Sequence, residues 1–162
     1  MDTNVLNYRV IIEKDSYSDG RPCYMASCPT LGVVDSGDTI DQAIFNIREA
    51  IELNIKNLVE EKATVPTDKV ETMVAHVSIK NTFGNNLRFA WYMVHLPAVS
   101  PKDLVKILLK HGFIERMGHG SHRIYIHPDG RRTTIAFHSK EIPRGTLRAI
   151  LKQIQLELKD LK

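Results

Sequence analysis

The chain has 162 residues, enough for one ordinary domain or two small ones, and at 43% apolar and 25% charged residues it reads as globular. No apolar run approaches the roughly 20 residues of a membrane span, and the opening MDTNVLNYRV lacks the basic head and apolar core of a secretory signal, so membrane and secreted classes are set aside and a cytoplasmic location is expected. The net charge of +3 divides unevenly: residues 1–80 carry eight Lys/Arg against thirteen Asp/Glu, and residues 81–162 fourteen against six. A basic half points to a polyanion such as nucleic acid, and an acidic half to a domain that binds or screens the basic one.

In the acidic half, Tyr8 to Lys14 alternates, with Tyr8, Val10 and Ile12 on one face and Arg9, Ile11 and Glu13 on the other, which predicts a strand. Asp15 to Gly20 is a turn, Arg21 to Cys28 the returning strand, and Leu31 to Asp35 a third. Cys23 and Cys28 lie five apart in a strand and its exit, pointing to different faces; a disulfide is not expected, and both read as reduced, partly buried thiols. Thr39 and Gln42 fit a capping box that opens a helix running to about Glu61. Its core stripe is Ile40, Ala43, Ile44, Ile47, Ala50, Ile51, Ile55 and Leu58. Pro66 breaks the chain, and Glu71 to Lys80 alternates again as a strand. The order β-β-β-α-β makes an α+β layer with one long helix across a sheet. Asp35, Asp38 and Asp41 cluster at the helix start; a metal or acid/base site is one reading, and placement at the positive end of the helix is the favoured one.

YRVIIEKD, followed by YMASCPTLGVVDSGDTIDQAIFNIREAIEL, resembles the N-terminal domain of HicB-type antitoxins over about residues 5–80. The SGDT turn and the QAIFNIREAIEL helix are the most specific part. The resemblance implies a partial ribonuclease-H-like fold that binds and blocks a toxin without catalytic residues of its own. Family members usually continue into a DNA-binding tail, and this chain continues into something else.

A turn-rich segment, Asn81 to Asn86, begins a linker placed at residues 81–95; the apolar Leu87 to His95 that follows suits an extra strand or an inter-domain clip. Met93 begins a segment that would suit the start of a separate protein, which suggests two fused genes. The domains are therefore drawn at 1–80 and 96–162. In the second, Ser100, Pro101 and Asp103 open a helix that Gly112 ends. Phe113 to Met117 is a short strand, Gly118 to Ser121 a turn, and His122 to His127 with Arg132 to His138 a hairpin about Pro128-Asp-Gly-Arg131. Gly145 to about Lys159 is the closing helix. The α-β-β-β-α order is the layout of the double-stranded-RNA-binding fold, with both helices on one sheet face and the other left for a ligand.

Six of the seven histidines lie beyond residue 94. On residue pattern alone His122, sharing strand parity with Ile124 and Ile126, reads as a core-edge side chain, and Arg131 and Arg132 as a solvated turn. A metal site of His119, His122 and His127 is disfavoured, because strand neighbours alternate faces and no acidic ligand accompanies them. LPAVSPKDLVKILLKHGF, GSHRIYIHPDGRRTTIAFH and IPRGTLRAILKQ resemble the HicA toxin family over about residues 93–158, with Ala136 where a proline is common. The resemblance implies a small ribonuclease, an mRNA interferase, whose essential histidine matches His122.

Imidazole titrates near neutrality and RNA carries its own 2′-hydroxyl nucleophile, so cleavage calls for no metal or cofactor. Expected RNA contacts are Arg123, Arg131, Arg132, Lys140, Arg144 and the amides around Gly145, and His119 and His138 are candidates for a second acid/base. The acidic half is expected to cover this face, within one chain or across a dimer, with carboxylates against Arg131, Arg132 and Lys140 and with a salt-sensitive contact. The alternative is an RNA-binding regulatory module without catalysis; a DNA-binding autorepressor lacks its motif.

Overall fold

The computed structural model describes residues 5–68 and 96–161, so the predicted strand Glu71–Lys80, the predicted linker 81–95 and Met93 lie outside the described residues. In the first half, β1 (Ile11–Ser16), β2 (Pro22–Cys28) and β3 (Val33–Gly37) form an antiparallel meander in that order. The predicted parity holds: Tyr8, Val10 and Ile12 pack toward the apolar cluster under the helix, and Ile11 is turned out. The strand itself begins later than Tyr8 and takes in Asp15 and Ser16, leaving Tyr17 to Arg21 as the turn, with Gly20 at φ +85°.

Helix α1 (Ile40–Glu60) begins as its sequence dictates. Thr39 Oγ1 accepts from the Gln42 amide at 3.2 Å, and Gln42 Oε1 reaches back to accept from the Asp38 amide at 2.9 Å. Gly37 lets β3 end against this first turn, because a Cβ there would lie 2.4 Å from the Ala43 nitrogen. Ala43, Ile47, Ala50 and Ile51 pack with Ala26, Cys28 and Val33. The buried arc is rotated from the predicted stripe: Asn46, Leu53, Asn54 and Asn57 are buried, whereas Ile40 and Ile44 are exposed. The cause is a second neighbour, since α1 also lies against β4 and β5 of the other half.

The second half has the predicted order: α2 (Pro101–Lys110), β4 (Ile114–His119), β5 (His122–Ile126), β6 (Arg132–Ala136) and α3 (Arg144–Ile154), with the sheet in the order β4-β5-β6. Ser100 Oγ accepts from the Asp103 amide at 3.1 Å, and Gly112 at φ +83° ends α2. Helix α3 stops at Ile154 rather than near Lys159, because Gln155 turns left-handed at φ 55° and the Leu156 amide closes back on the Leu151 carbonyl. Leu158–Leu161 forms a separate 3₁₀ turn.

Ladder partners on neighbouring strands share a sheet face. Tyr125 and Thr133 pair, as do Arg123 and Ile135, and this face meets the helices: Tyr125 and Ile135 pack with Leu104, Leu108, Phe113, Leu147 and Ile154. His122 pairs with Ala136, Ile124 with Thr134 and Ile126 with Arg132 on the opposite face. Sequence reasoning leaves that face for a ligand. In this chain α1 of the first half covers it, while β3 comes against β6 and α3 against β1 and β3. Val34 is 5% exposed within the second half's apolar core. Burying such a side chain contributes about 1.5–3 kcal/mol.

Candidate functional site at the junction of the halves

The β5–β6 hairpin positions the chemistry. His122 opens β5, and its partner Ala136 closes β6 two residues before His138, so register brings both imidazoles to one corner of the sheet. Their ring centroids are 5.8 Å apart at 64°. Between them lies Asp35 of β3: His122 Nε2 is 2.5 Å from Oδ2, and His138 Nε2 is 2.8 Å from Oδ1. A carboxylate only accepts, so each Nε2 carries its hydrogen toward Asp35. The side chains of His122 and Asp35 are each 1% exposed, and that of His138 is 17%. Burial pushes the Asp35 carboxyl up, and the hydrogen bonds and charge of His122 and His138 more than offset it, leaving its pKa below the usual carboxylate value. On the far side of the His122 ring, Nδ1 has Ser121 Oγ at 3.4 Å and Glu49 Oε2 of α1 at 3.6 Å. His122 therefore has no nitrogen open to solvent.

A second carboxylate from the first half caps α3. The preceding residue is Pro143 and supplies no side-chain cap. Asp15 takes that place: its Oδ1 accepts from the Gly145 amide at 2.8 Å, and its Oδ2 from the Thr146 amide at 3.0 Å and hydroxyl at 3.1 Å. Amides at a helix start suit an anion, and the anion here is a side chain of the same protein. Around this point the Arg144 guanidinium donates to the Ser18 carbonyl at 2.8 Å, and the Ser18 amide donates to Glu141 at 2.7 Å. Across the sheet face Asn54 donates to Thr134 Oγ1 at 2.8 Å, and Glu61 pairs with Arg132 at 3.0 Å.

The predicted site residues thus divide. His122, Arg132, Arg144 and Gly145 are all engaged by the first half. Lys140 is exposed in a cleft of about 560 Å³, which His138, Arg21, Asp38 and Glu141 also line. The guanidiniums of Arg123 and Arg131 are not brought to the His122 imidazole. Arg123 donates to the carbonyls of Gly120 and His122 and has the helix-side register, whereas Arg131 braces the hairpin turn through Asp129, the Ile154 carbonyl and the Phe113 ring. His119 is exposed at the end of β4. Of the carboxylate contacts expected at Arg131, Arg132 and Lys140, only Arg132 receives one from the first half among the described residues.

Sequence reasoning missed Asp35 and Asp15. Asp35 was grouped with Asp38 and Asp41 as helix-start charge, and only the other two stay there: Asp38 accepts from the Tyr17 hydroxyl at 2.8 Å, and Asp41 sits in the first turn of α1. The available signal was a charge in a strand otherwise reading as buried, a place where an unpaired carboxylate is not tolerated. Asp15 was read as a turn former and gave no comparable signal.

Asp35, His122 and His138 place three ligand-type atoms within 4.8 Å of one another. Two imidazoles and a carboxylate suit a divalent transition cation, and the acidic member comes from the other half. Both Nε2 atoms already meet Asp35 at hydrogen-bond distance, so a cation there would have to replace both bonds. Cys23 and Cys28 are fully buried and free, and burial pushes the Cys23 thiol up to about 12 and Cys28 upward, so neither is a ready nucleophile.

Comparison with known proteins now defines the class. Residues 101–156, from the start of α2 past the end of α3, match the family of HicA toxins of bacterial toxin–antitoxin systems. Two relatives match as well. A UPF0150 protein of Synechocystis sp. is 45% identical over 76 residues, covering 46% of this chain and 89% of the relative. A UPF0150 protein of Thermoplasma acidophilum is 36% identical over 72 residues, covering 44% of this chain and 99% of the relative. The chain belongs to the UPF0150 family. No helix among the described residues is long and apolar enough to cross a membrane.

Proposed function

We propose that the second half is a metal-independent RNA endonuclease of the mRNA interferase kind, and that the first half is a HicB-like antitoxin domain holding it shut in a cytoplasmic protein. The division at 1–80, 81–95 and 96–162 and the labels of partial ribonuclease-H-like and double-stranded-RNA-binding-like folds belong to this reading. One observation carries it: His122 is 1% exposed and its Nε2 is spent on a carboxylate from the other half. Any buried imidazole N–H needs an acceptor; here the acceptor is a carboxylate supplied by the other half, and the same contact keeps the ring from substrate.

In the opened domain His122 moves a proton at the 2′-hydroxyl or at the leaving oxygen of mRNA. Arg132, Arg144, Lys140 and the amides at Gly145 bind phosphates once Glu61, Ser18 and Asp15 withdraw. The guanidiniums of Arg123 and Arg131 lie away from the cut.

Cleavage of a labelled RNA is measured for the whole chain, for Asp15→Ala/Asp35→Ala, for residues 93–162, and for each with His122→Ala. The expected result is a silent whole chain, cleavage by the opened forms, and its loss without His122. The full sealing of His122 also favours a second reading, an RNA-binding regulator that never cuts; RNA bound but uncut by every opened form decides for it.

A further inference from the structure

We infer that His122 and His138 work as a pair of imidazoles on one RNA phosphodiester, and that Asp35 holds the place of that phosphate in the closed chain. The inference rests on the reading of the second half as a ribonuclease.

The geometry is particular. A carboxylate that orients a catalytic imidazole binds one ring nitrogen and leaves the other for substrate. Asp35 instead bridges two rings, giving one oxygen to each Nε2, at 2.5 and 2.8 Å. Two donors converging on the two oxygens of one anion form the fork that a phosphodiester's non-bridging oxygens also fit. Both imidazoles belong to the toxin domain, fixed by the β5–β6 register, and only the anion comes from the other half. The receptor is thus complete without Asp35. His119 offers no such convergence, being exposed at the end of β4.

Transesterification needs two proton movements, and the pair supplies both. One imidazole, neutral on entry with its hydrogen on Nδ1 and Nε2 bare once Asp35 has left, takes the proton of the 2′-hydroxyl at Nε2 as that oxygen bonds to phosphorus. The phosphorus–5′-oxygen bond breaks, and the other imidazole, protonated on entry, gives its proton to the departing 5′-oxygen. The products are a 2′,3′-cyclic phosphate and a 5′-hydroxyl, with the two histidines left in exchanged protonation states that solvent resets. No metal or other reactant enters the balance.

The test uses the full chain. Asp35→Ala, and Asp35→Asn as the variant that keeps the side chain's size, are each combined with His138→Ala or His122→Ala. Two RNAs are compared, one with the ordinary 5′-oxygen and one with a 5′-sulfur, which leaves without protonation. Expected are cleavage after either Asp35 substitution, a loss on the order of 10²–10⁴-fold on removing either histidine, and recovery to within about tenfold on the sulfur substrate for one histidine variant only. Cleavage within about threefold of the parent after His138→Ala would leave His122 as the one acting group and overturn the pair while leaving the ribonuclease reading intact. An equal loss on both substrates for both variants overturns it too. If no opened chain cuts RNA, the ribonuclease reading itself fails. Inorganic phosphate then decides the place of the anion: titrated into Asp35→Ala, it should shift the imidazole NMR signals of His122 and His138 along one saturation curve. A shift of one signal alone, or of neither, sinks the assignment.

Discussion

The two faces of the β4–β6 sheet are built on different principles. Toward α2 and α3 the sheet presents Tyr125 and Ile135 to Leu104, Leu108, Phe113, Leu147 and Ile154, an apolar contact inside one half. Toward α1 it presents His122, Thr134 and Arg132 to Asp35, Glu49, Asn54 and Glu61, a contact between halves that is largely polar, with the buried Ile124 among these groups and Val34 reaching the apolar core beside them. Apolar contact is non-directional and lost only with the fold. Paired polar groups keep the option of returning to water, so the first face is a core and the second is a lid.

The sharpest way to break this comparison is to cut into both faces and see what falls. Leu104→Ala removes a fully buried side chain from the dry face and is expected to cost about 2–5 kcal/mol, read as a lower urea midpoint for the second half. Next comes Asp35→Ala, which strands two histidines at the lid; a loss of about 3 kcal/mol is expected in the contact between the halves, with the α2–α3 core intact by near-UV circular dichroism. If Asp35→Ala melts that core as Leu104→Ala does, the two faces are one unit and the distinction fails.

Acid should reproduce the Asp35 lesion without a mutation. Its folded pKa lies below the ordinary carboxylate value, so its contribution is fully present above that ordinary value and is lost as pH falls through the lowered one. The halves are expected to hold through mildly acidic pH and to part only below about pH 4, followed by small-angle scattering. Asp35→Asn should remove this acid step.

Asp15→Ala sharpens the comparison at a smaller scale. Loss of a helix cap costs about 1 kcal/mol, and hydrogen exchange at the Gly145 and Thr146 amides should quicken while the Tyr125 amide stays protected. Smallest is Glu61→Gln, since the Glu61–Arg132 pair is one-third exposed and worth about 0.2–1 kcal/mol. The same pair carries the salt response. Because Asp35 is buried and screened little, raising ionic strength should loosen the lid only by what Glu61 contributes.

Local pattern carried the fold well. Thr39 and Ser100 cap where expected, Gly112 turns left-handed, and the α-β-β-β-α order holds, because each depends on neighbours in sequence. The misses arise where a residue answers to something remote. Gln155 ends α3 early through a left-handed turn that its residue type does not announce. The rotated arc of α1 reflects a partner sheet lying beyond residue 100. Asp15 and Gly145 are 130 positions apart, and Asp35 and His122 are 87 apart. At that separation composition reveals that an acidic half faces a basic one, and only topology reveals which carboxylate meets which cation. Arg123 and Arg131 show the same limit from the other side: their charge was legible, but the face each takes was set by register and by the turn.

The cap on α3 bears on how the protein is made. Helix α3 has no side-chain cap of its own, and the carboxylate that completes it stands in β1. Synthesis runs from the N-terminus, and early segments fold before later ones emerge. Asp15 and Asp35 therefore leave the ribosome well before His122, His138 and α3 exist, and the last helix is completed against a surface already waiting for it. The second half therefore meets the carboxylates of the first as it is made, in a ratio of one to one that no change in expression can alter.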